Sequence, residues 1–276
     1  MSIAATFATA AITIAVIMLT TWIASVAKRD ASIVDPVWPL GFVITAWVTV
    51  ARTDGDPTRR WIVVAMVTIW GLRLAAHLVW RRRGGDGEDF RYRAMRRHWG
   101  ARFWLVSLVT VFALQGVLMW TVALPVQLAL RGTDATPTVL LGLAVAFWVV
   151  GFGFETVGDA QLTRFRNDPA SAGRVLDTGL WRYTRHPNYF GDACVWWGIA
   201  LAALGAPAGP IGLVGAAVMT VLLRRVSGVT LLERSLVQRR TGYDEYVRRT
   251  SAFVAQAPKK TGNETKRGGG SAKCGR

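Results

Sequence analysis

Residues 193–223 read ACVWWGIALAALGAPAGPIGLVGAAVMTVLL, a run of 31 residues without a charge. The fold turns on whether this run is one helix or two. A hydrocarbon core about 30 Å thick takes roughly 20 apolar residues per helix, so the run is long for one crossing and short for two. At its centre stands Gly205-Ala206-Pro207-Ala208-Gly209-Pro210, a cluster of helix breakers. A single crossing would also place the basic segments before and after it on opposite sides of a membrane. That runs against the bias that gathers Lys and Arg on the cytoplasmic side. The run is read as a hairpin of two short helices.

Working outward, residues 4–27 carry no charge, are too long for a signal-peptide core and have no basic residues before them. They form the first span. Further spans fall near 36–52, 61–80, 103–126 and 137–156, and the hairpin brings the total to seven. The loop 81–102 holds Arg81, Arg82, Arg83, Arg91, Arg93, Arg96, Arg97 and Arg102, and the loop 160–192 holds Arg164, Arg166, Arg174, Arg182 and Arg185. The loop 127–136 has only Arg131, and 205–210 has none. The basic loops and the C-terminus are therefore expected in the cytoplasm and the N-terminus outside. This is an all-α, polytopic membrane bundle over residues 1–256, followed by a disordered basic cytoplasmic tail over 257–276. A site formed by the basic loops is therefore expected to face the cytoplasm.

The composition agrees: 52% of the residues are apolar and 18% charged, against about 45–50% and 25% in soluble domains. Soluble, disordered and disulfide-rich secreted classes are excluded. The net charge of +16 is clustered, so it reads as membrane orientation plus an anionic ligand and not as nucleic-acid binding. Two cysteines and three scattered histidines give neither a disulfide framework nor a metal spacing.

Several polar residues stand where a bilayer disfavours them. Arg73 and His77, one turn apart in the third span near Trp80, either snorkel to the membrane edge or line a cavity. Asp35, in Ile33-Val34-Asp35-Pro36, either caps the second span or acts in catalysis. Gln115 sits in mid-span, where most glutamines bond between helices. Glu155 and Asp159 leave the fifth span at i,i+4, and Arg166 follows on nearly the same face.

The densest stretch is Gly179-Leu-Trp-Arg182-Tyr-Thr-Arg185-His186-Pro187-Asn188-Tyr189-Phe-Gly-Asp192. Pro187 suits the first turn of a helix, which puts Asn188 and Asp192 on one face. Arg182 and Arg185 offer forks for phosphate, and the aromatic residues offer stacking surfaces. An interfacial loop in the headgroup belt is the plain alternative. Gly151-Phe-Gly153 begins a dinucleotide fingerprint but lacks its third glycine, at Thr156, and any preceding strand. A nucleotide would be held by the bundle and its loops.

Arg185-His186-Pro187-Asn188-Tyr189-Phe190-Gly191-Asp192, preceded by Gly179-Leu180-Trp181, resembles the signature of the membrane sterol reductases. The wider layout resembles the steroid 5-alpha-reductase family, including Ser227-Gly228-Val229-Thr230-Leu231-Leu232-Glu233 and Gly242-Tyr243-Asp244-Glu245-Tyr246. The resemblance implies a seven-span bundle that holds NADPH and delivers hydride to a carbon–carbon double bond of a lipid or steroid-like substrate. It implies cofactor contacts from Asn188 and Asp192, and from Asp159 with Arg166. Arg182, Arg185, His186, Tyr189 and Tyr246 complete the expected cofactor-binding set. Gln115 matches a Leu-Gln-Gly of the steroid enzymes. Asp35 matches their acid, which polarises a substrate carbonyl together with a tyrosine. That tyrosine has no evident match, because the third span offers Arg73 and His77 instead. The expected catalytic set is accordingly Asp35, His77 and Gln115. Arg-His-Pro-x-Tyr and the Glu233…Tyr246 ending are also similar to the isoprenylcysteine carboxyl methyltransferases, so an S-adenosylmethionine-dependent methyltransferase is the alternative. In either case the partners are a lipophilic small molecule and membrane lipids.

Overall fold

The computed structural model of the chain describes residues 1–83, 87–226 and 242–259. Among these every regular element is helical: α1 (Ile3–Lys28), α2 (Val34–Val50), α3 (Pro57–Arg82), α4 (Phe90–Trp99), α5 (Phe103–Ser107), α6 (Leu114–Val122), α7 (Leu124–Arg131), α8 (Thr138–Asn167), α9 (Pro187–Ala203), α10 (Gly212–Val221) and α11 (Tyr243–Arg249). Most of the expected tail, 260–276, and the stretch Ser227–Glu233 lie outside the described residues.

Five stretches are long and apolar enough to cross a membrane: Ile3–Lys28, Ala31–Val50, Pro57–Arg82, Phe90–Val122 and Thr138–Asn167. By helix length and composition this is an integral membrane protein. Ile12, Leu19, Val109 and Val117 stand exposed along these helices, as lipid-facing residues should. The hairpin read from 193–223 is present. The helix stops at Ala203, turns through the Gly/Pro cluster and resumes at Gly212. Trp197 Nε1 on the first arm donates to Thr220 Oγ1 on the second at 3.1 Å. Its arms have 17 and 10 residues, shorter than the five long stretches.

The chain divides into two compact units. The first comprises residues 1–152 and 193–221, and the second 153–192 and 222–276. In the first unit α2 packs between α1 and α3. Its centre is an aromatic cluster in which Phe42 meets Trp196 at 4.6 Å and Trp70 at 5.8 Å, with Trp70 and Trp196 at 5.2 Å. All three rings are buried, and such pairs add about 0.5–1.5 kcal/mol beyond area burial. Asp56 caps α3 by accepting from Arg59 N at 2.8 Å, with Pro57 in the first turn.

Arg59 itself is fully buried. Its guanidinium donates to the carbonyls of Ala129, Asp134 and Gly205 at 2.9 Å each, to Thr136 Oγ1 at 2.6 Å and to Gly132 O. One side chain thus ties the hairpin turn to the segment 129–136. Five acceptors compensate the cost of taking this charge out of water.

The second unit is built on the end of α8 and the start of α9, which run antiparallel. Gly158 lies against Pro187 and Asn188, and Phe154 meets Phe190 at 5.2 Å. The segment 177–186 crosses these helices and is held by the strap 242–259. Thr184 Oγ1 donates to Phe253 O at 2.9 Å, and Arg185 N donates to Ser251 O at 2.9 Å.

Candidate functional site

Two polar clusters stand out, one in each unit. In the first unit α2 begins without a side-chain cap. Asp30 takes the capping role one turn earlier, accepting from Ser32 N at 2.9 Å. Asp35 is therefore left for tertiary contacts, and the capping alternative falls away. Tyr92 Oη donates to Asp35 Oδ1 at 2.8 Å, and Arg91 Nη2 meets Asp35 Oδ2 at 2.9 Å. Gln115 Nε2 approaches Tyr92 Oη at 3.5 Å, the outer limit for such a bond. A carboxyl, a phenol and an amide from α2, α4 and α6 thus form one chain.

Tyr92 is a partner of Asp35 that the sequence did not reveal. It lies on α4, within a segment that reads as a basic loop, and it is the one buried side chain of that helix. Asp89 caps α4, accepting from Arg91 N at 3.0 Å and Arg91 Nε at 2.9 Å. Partial burial pushes the Asp89 carboxyl up. The hydrogen bonds and charge of Arg91 outweigh this and hold it below the ordinary aspartate value. Glu88 fixes the same end of the helix. Its carboxylate accepts from Ala31 N at 2.8 Å and from Arg96 Nε and Nη2 at 2.9 and 2.8 Å. Between α5 and α6 the helix opens into a π-turn, Leu108–Ala113, immediately before Gln115. An inserted π-turn rotates the residues that follow it, and such turns recur at functional sites.

His77 and Arg73, on α3, are half-buried. His77 faces Trp80 with ring centroids 6.4 Å apart. The side chains joined by hydrogen bonds in this cluster are Asp35, Tyr92 and Gln115.

In the second unit Asn188 Nδ2 donates to Asp159 Oδ1 at 3.0 Å, joining α9 to α8. Pro187 opens α9 as its sequence suggests. Asn188 and Asp192 then share a face of α9, as Glu155 and Asp159 share a face of α8. Glu155, Asp159 and Asp192 are all buried. The rings of buried His186 and half-buried Tyr189 stack at 5.4 Å, nearly parallel. Gly179 takes a positive φ of 61° and lies against Gln161, whose Oε1 accepts from Leu180 N at 3.0 Å. A side chain at 179 would be strained there and would meet Gln161.

The expected cofactor residues fall into two groups. Arg166 and Arg182 are exposed on the ends of their elements and present charged forks. Arg185 and Tyr246 are buried and close the structure. Arg185 Nη1 donates to Val247 O at 3.0 Å and Thr250 O at 2.5 Å, satisfying carbonyls at the end of α11. Tyr246 Oη donates to Trp181 O at 2.6 Å, and burial pushes its hydroxyl far above the ordinary tyrosine value. The donor set fits a dinucleotide: buried carboxyls and an amide for ribose and amide groups, a stacked ring pair, and two arginines for phosphates. Among the described residues no group of three or more His, Cys, Asp or Glu is arranged to hold a metal ion.

Comparison with known proteins follows the same extent of chain. Residues 21–250 match the family described as "Protein of unknown function (DUF1295)". An uncharacterized protein of Schizosaccharomyces pombe is 26% identical over 205 residues, covering 63% of this chain and 58% of the yeast protein. The chain thus spans less than two thirds of that relative's length. No solved structure matches it. The family match takes in Asp35, Tyr92, Gln115, Asp159, Asn188 and the strap through Thr250, so the chain belongs to the family of proteins of unknown function DUF1295.

Proposed function

We propose that this protein is a membrane-embedded reductase that uses NADPH to saturate a carbon–carbon double bond conjugated to a carbonyl in a lipid or steroid-like substrate. The observation that carries the reading is the Asp35–Tyr92–Gln115 chain. Bound NADPH would supply a hydride to the alkene, and Arg166 and Arg182, with Asp159, Asn188 and Asp192, would hold it. Tyr92 Oη–H is the donor for the substrate carbonyl, which competes with Asp35 for that hydrogen. The Gln115 amide, directed at the phenol oxygen, stabilises that oxygen as its proton moves toward substrate. Asp35 orients the phenol and relays to it a proton taken up from water, replacing the one given to substrate, while Arg91, itself held by Asp89, holds Asp35 in place. A lipophilic substrate reaches this cluster from the bilayer. The seven-span topology, with the N-terminus outside and the C-terminus in the cytoplasm of a bacterial inner membrane, belongs to the same proposal. It requires a C-terminal green fluorescent fusion to be bright and a C-terminal alkaline phosphatase fusion to be inactive.

One observation favours a methyltransferase instead. Three buried carboxyls in the second unit, Glu155, Asp159 and Asp192, suit the sulfonium and ammonium charges of S-adenosylmethionine as well as they suit ribose hydroxyls. A direct binding comparison separates the two. Purified protein should bind NADPH more tightly than NADH, with affinity falling as salt rises. Arg166→Ala should weaken it by about ten- to a hundred-fold, the equivalent of one charge-assisted bond. Tight S-adenosylmethionine binding with no NADPH binding at low salt would overturn the reductase reading and establish the methyltransferase.

A further inference from the structure

Helix α4 has two different faces. The inner face carries Tyr92, bonded to Asp35, and Arg96, bonded to Glu88. The outer face carries Arg93, Ala94 and Arg97, all exposed, with Phe90 at 69% exposure before them; Trp99, 44% exposed, ends the helix two turns beyond Tyr92. Arg102 and Trp104, the latter 50% exposed, continue this surface into α5. The cations of this segment also divide by face. Arg82, Arg91 and Arg96 are paired with Asp30, Asp35 or Asp89, and Glu88. Arg93, Arg97 and Arg102 have no acidic partner among the described residues.

The segment opens the stretch Phe90–Val122, which contains an apolar window long enough to cross a membrane; α4, with four arginines in its ten residues, is the polar end of that stretch. Ten residues of amphipathic helix at the end of a span lie at the headgroup level, whichever side of the membrane that is. Aromatic side chains prefer that depth, and basic residues there are drawn to anionic lipids by about 1 kcal/mol each, roughly a five-fold gain in affinity per residue. Three unpaired arginines between three exposed aromatic rings provide a surface of opposite charge to such a membrane.

We infer that the outer face of α4 binds the phosphate-bearing headgroups of anionic phospholipids in the surrounding leaflet, through Arg93, Arg97 and Arg102, and that this binding holds Tyr92 against Asp35. The coupling is mechanical. Between the α1–α2 turn and α4 the ties are Ala31 to Glu88, Ser32 to Asp89, and Asp35 to Arg91 and Tyr92, all at one end of the helix. Its far end, Arg97–Trp99, has no such tie to α1 or α2 among the described residues and meets α5 through Arg96, which lies over the Phe103 ring at 4.5 Å; a headgroup contact there limits outward movement of the helix about residue 89. The phenol then stays in register with its carboxyl. The inference depends on the Asp35–Tyr92 contact alone and holds whatever reaction the protein performs.

Hydrogen exchange in nanodiscs tests it. The full-length protein is placed in discs of phosphatidylcholine alone, or with 30% phosphatidylglycerol, at equal ionic strength on the order of 0.1 M, where the Debye length is about 10 Å. The amides of residues 90–99 should exchange about ten-fold more slowly with phosphatidylglycerol, while those of α9 should not change. Arg93→Ala combined with Arg97→Ala should abolish the difference, and Arg93→Lys with Arg97→Lys should restore most of it. Free inorganic phosphate added to phosphatidylcholine discs should not reproduce the slowing. Equal exchange of wild-type α4 in both lipids would overturn the inference without any variant having to fold. So would a lipid effect that survives the double alanine change, or one that free phosphate imitates.

Discussion

The two polar clusters of this chain are assembled in opposite ways. The cluster of the second unit is drawn from one nearly continuous motif and one helix end: residues 177–192 with Asp159 and the strap that covers them. That of the first unit is drawn from three separate helices, at residues 35, 92 and 115, and depends on a capped helix outside the spans proper. Local spacing carries most of the information in the second unit. In the first, the information lies in tertiary pairing. The contrast predicts different kinds of damage. Changes in the first unit should alter chemistry with little effect on affinity, whereas changes in the second should alter cofactor affinity or the stability of the strap.

The largest expected effect is that of Tyr92→Phe. Removing a single donor aimed at a developing oxyanion costs about 10²–10³ in turnover. Tyr92→Phe should lower the rate of enone reduction on that scale and leave the NADPH dissociation constant within about two-fold, the size of an uninvolved surface change. The paired measurement is single-turnover rate and cofactor titration on one preparation. A variant that retains its rate, or one that loses cofactor instead, would erase the division of labour between the clusters.

Next in size is a contrast between two arginines of the second unit. Arg166 is exposed, and Arg185 is buried on the carbonyls of Val247 and Thr250. Arg166→Ala should reduce NADPH affinity by about ten- to a hundred-fold and lower the thermal midpoint in detergent less than the buried Arg185→Ala does. Arg185→Ala leaves two buried carbonyls without their donor and should destabilise the protein by about 1–3 kcal/mol. Its NADPH affinity should keep the same salt slope as the parent. If the Arg185 variant instead loses a salt-dependent contact, its fork serves phosphate after all.

This pair also shows what could be read from the sequence. The hairpin was legible because Gly205–Pro210 breaks helices wherever it occurs. The start of α9 was legible because Pro187 fits only a first turn, and the i,i+4 pairing of Asn188 with Asp192 followed from that. Arg185 and Arg182 look alike in sequence, yet one is buried under the strap and the other exposed, a difference fixed by chain 60 residues away. Tyr92 was hidden for a related reason. Arg91, Arg93, Arg96 and Arg97 surround it, and that density reads as a solvated loop. A closer signal existed in Asp89, directly before a run with helical periodicity, which marks a capped helix with Tyr92 and Arg96 on one face. Arg59 gave no warning, because its acceptors, four backbone carbonyls and the Thr136 hydroxyl, lie in segments that no spacing rule connects.

A smaller effect is expected for Asn188→Ala. The Asn188–Asp159 bond joins α9 to α8 near the residues proposed to hold the cofactor, and a bond to a buried carboxyl contributes about 1–2 kcal/mol. The variant should melt a few degrees lower and bind NADPH several-fold more weakly; Tyr92→Phe also gives up a bond to a carboxyl but should leave NADPH binding unchanged. Asn188→Asp is the sharper form, because it places a second acidic group against Asp159. It should be the more destabilised of the two at neutral pH, and the order should reverse in acid if repulsion is the cause.

The smallest effect concerns Asp89, the residue that starts α4 and so places Tyr92. Its carboxyl is held below the ordinary value in the folded protein by Arg91, despite the opposing effect of burial. In the unfolded chain it should titrate near about 3.9. The unfolded state therefore takes up the proton first as pH falls, and stability must decline in that direction. The contribution of Asp89 is fully present above the unfolded value and disappears as pH drops through the lower folded value. Asp89→Asn cannot titrate and keeps only a neutral acceptor for the helix cap. At pH 7 it should melt slightly below the parent, and the gap should narrow steadily as the pH is lowered from about 5 to 3. Because Asp89 is a third exposed, water and salt screen its pairing with Arg91, and the gap should also shrink at high ionic strength. Thermal midpoints of parent and variant across that pH range, at two salt concentrations, test both dependences. A gap that stays constant with pH would mean that Asp89 acts through shape alone, and that the position of Tyr92 rests on the Glu88–Arg96 pair instead.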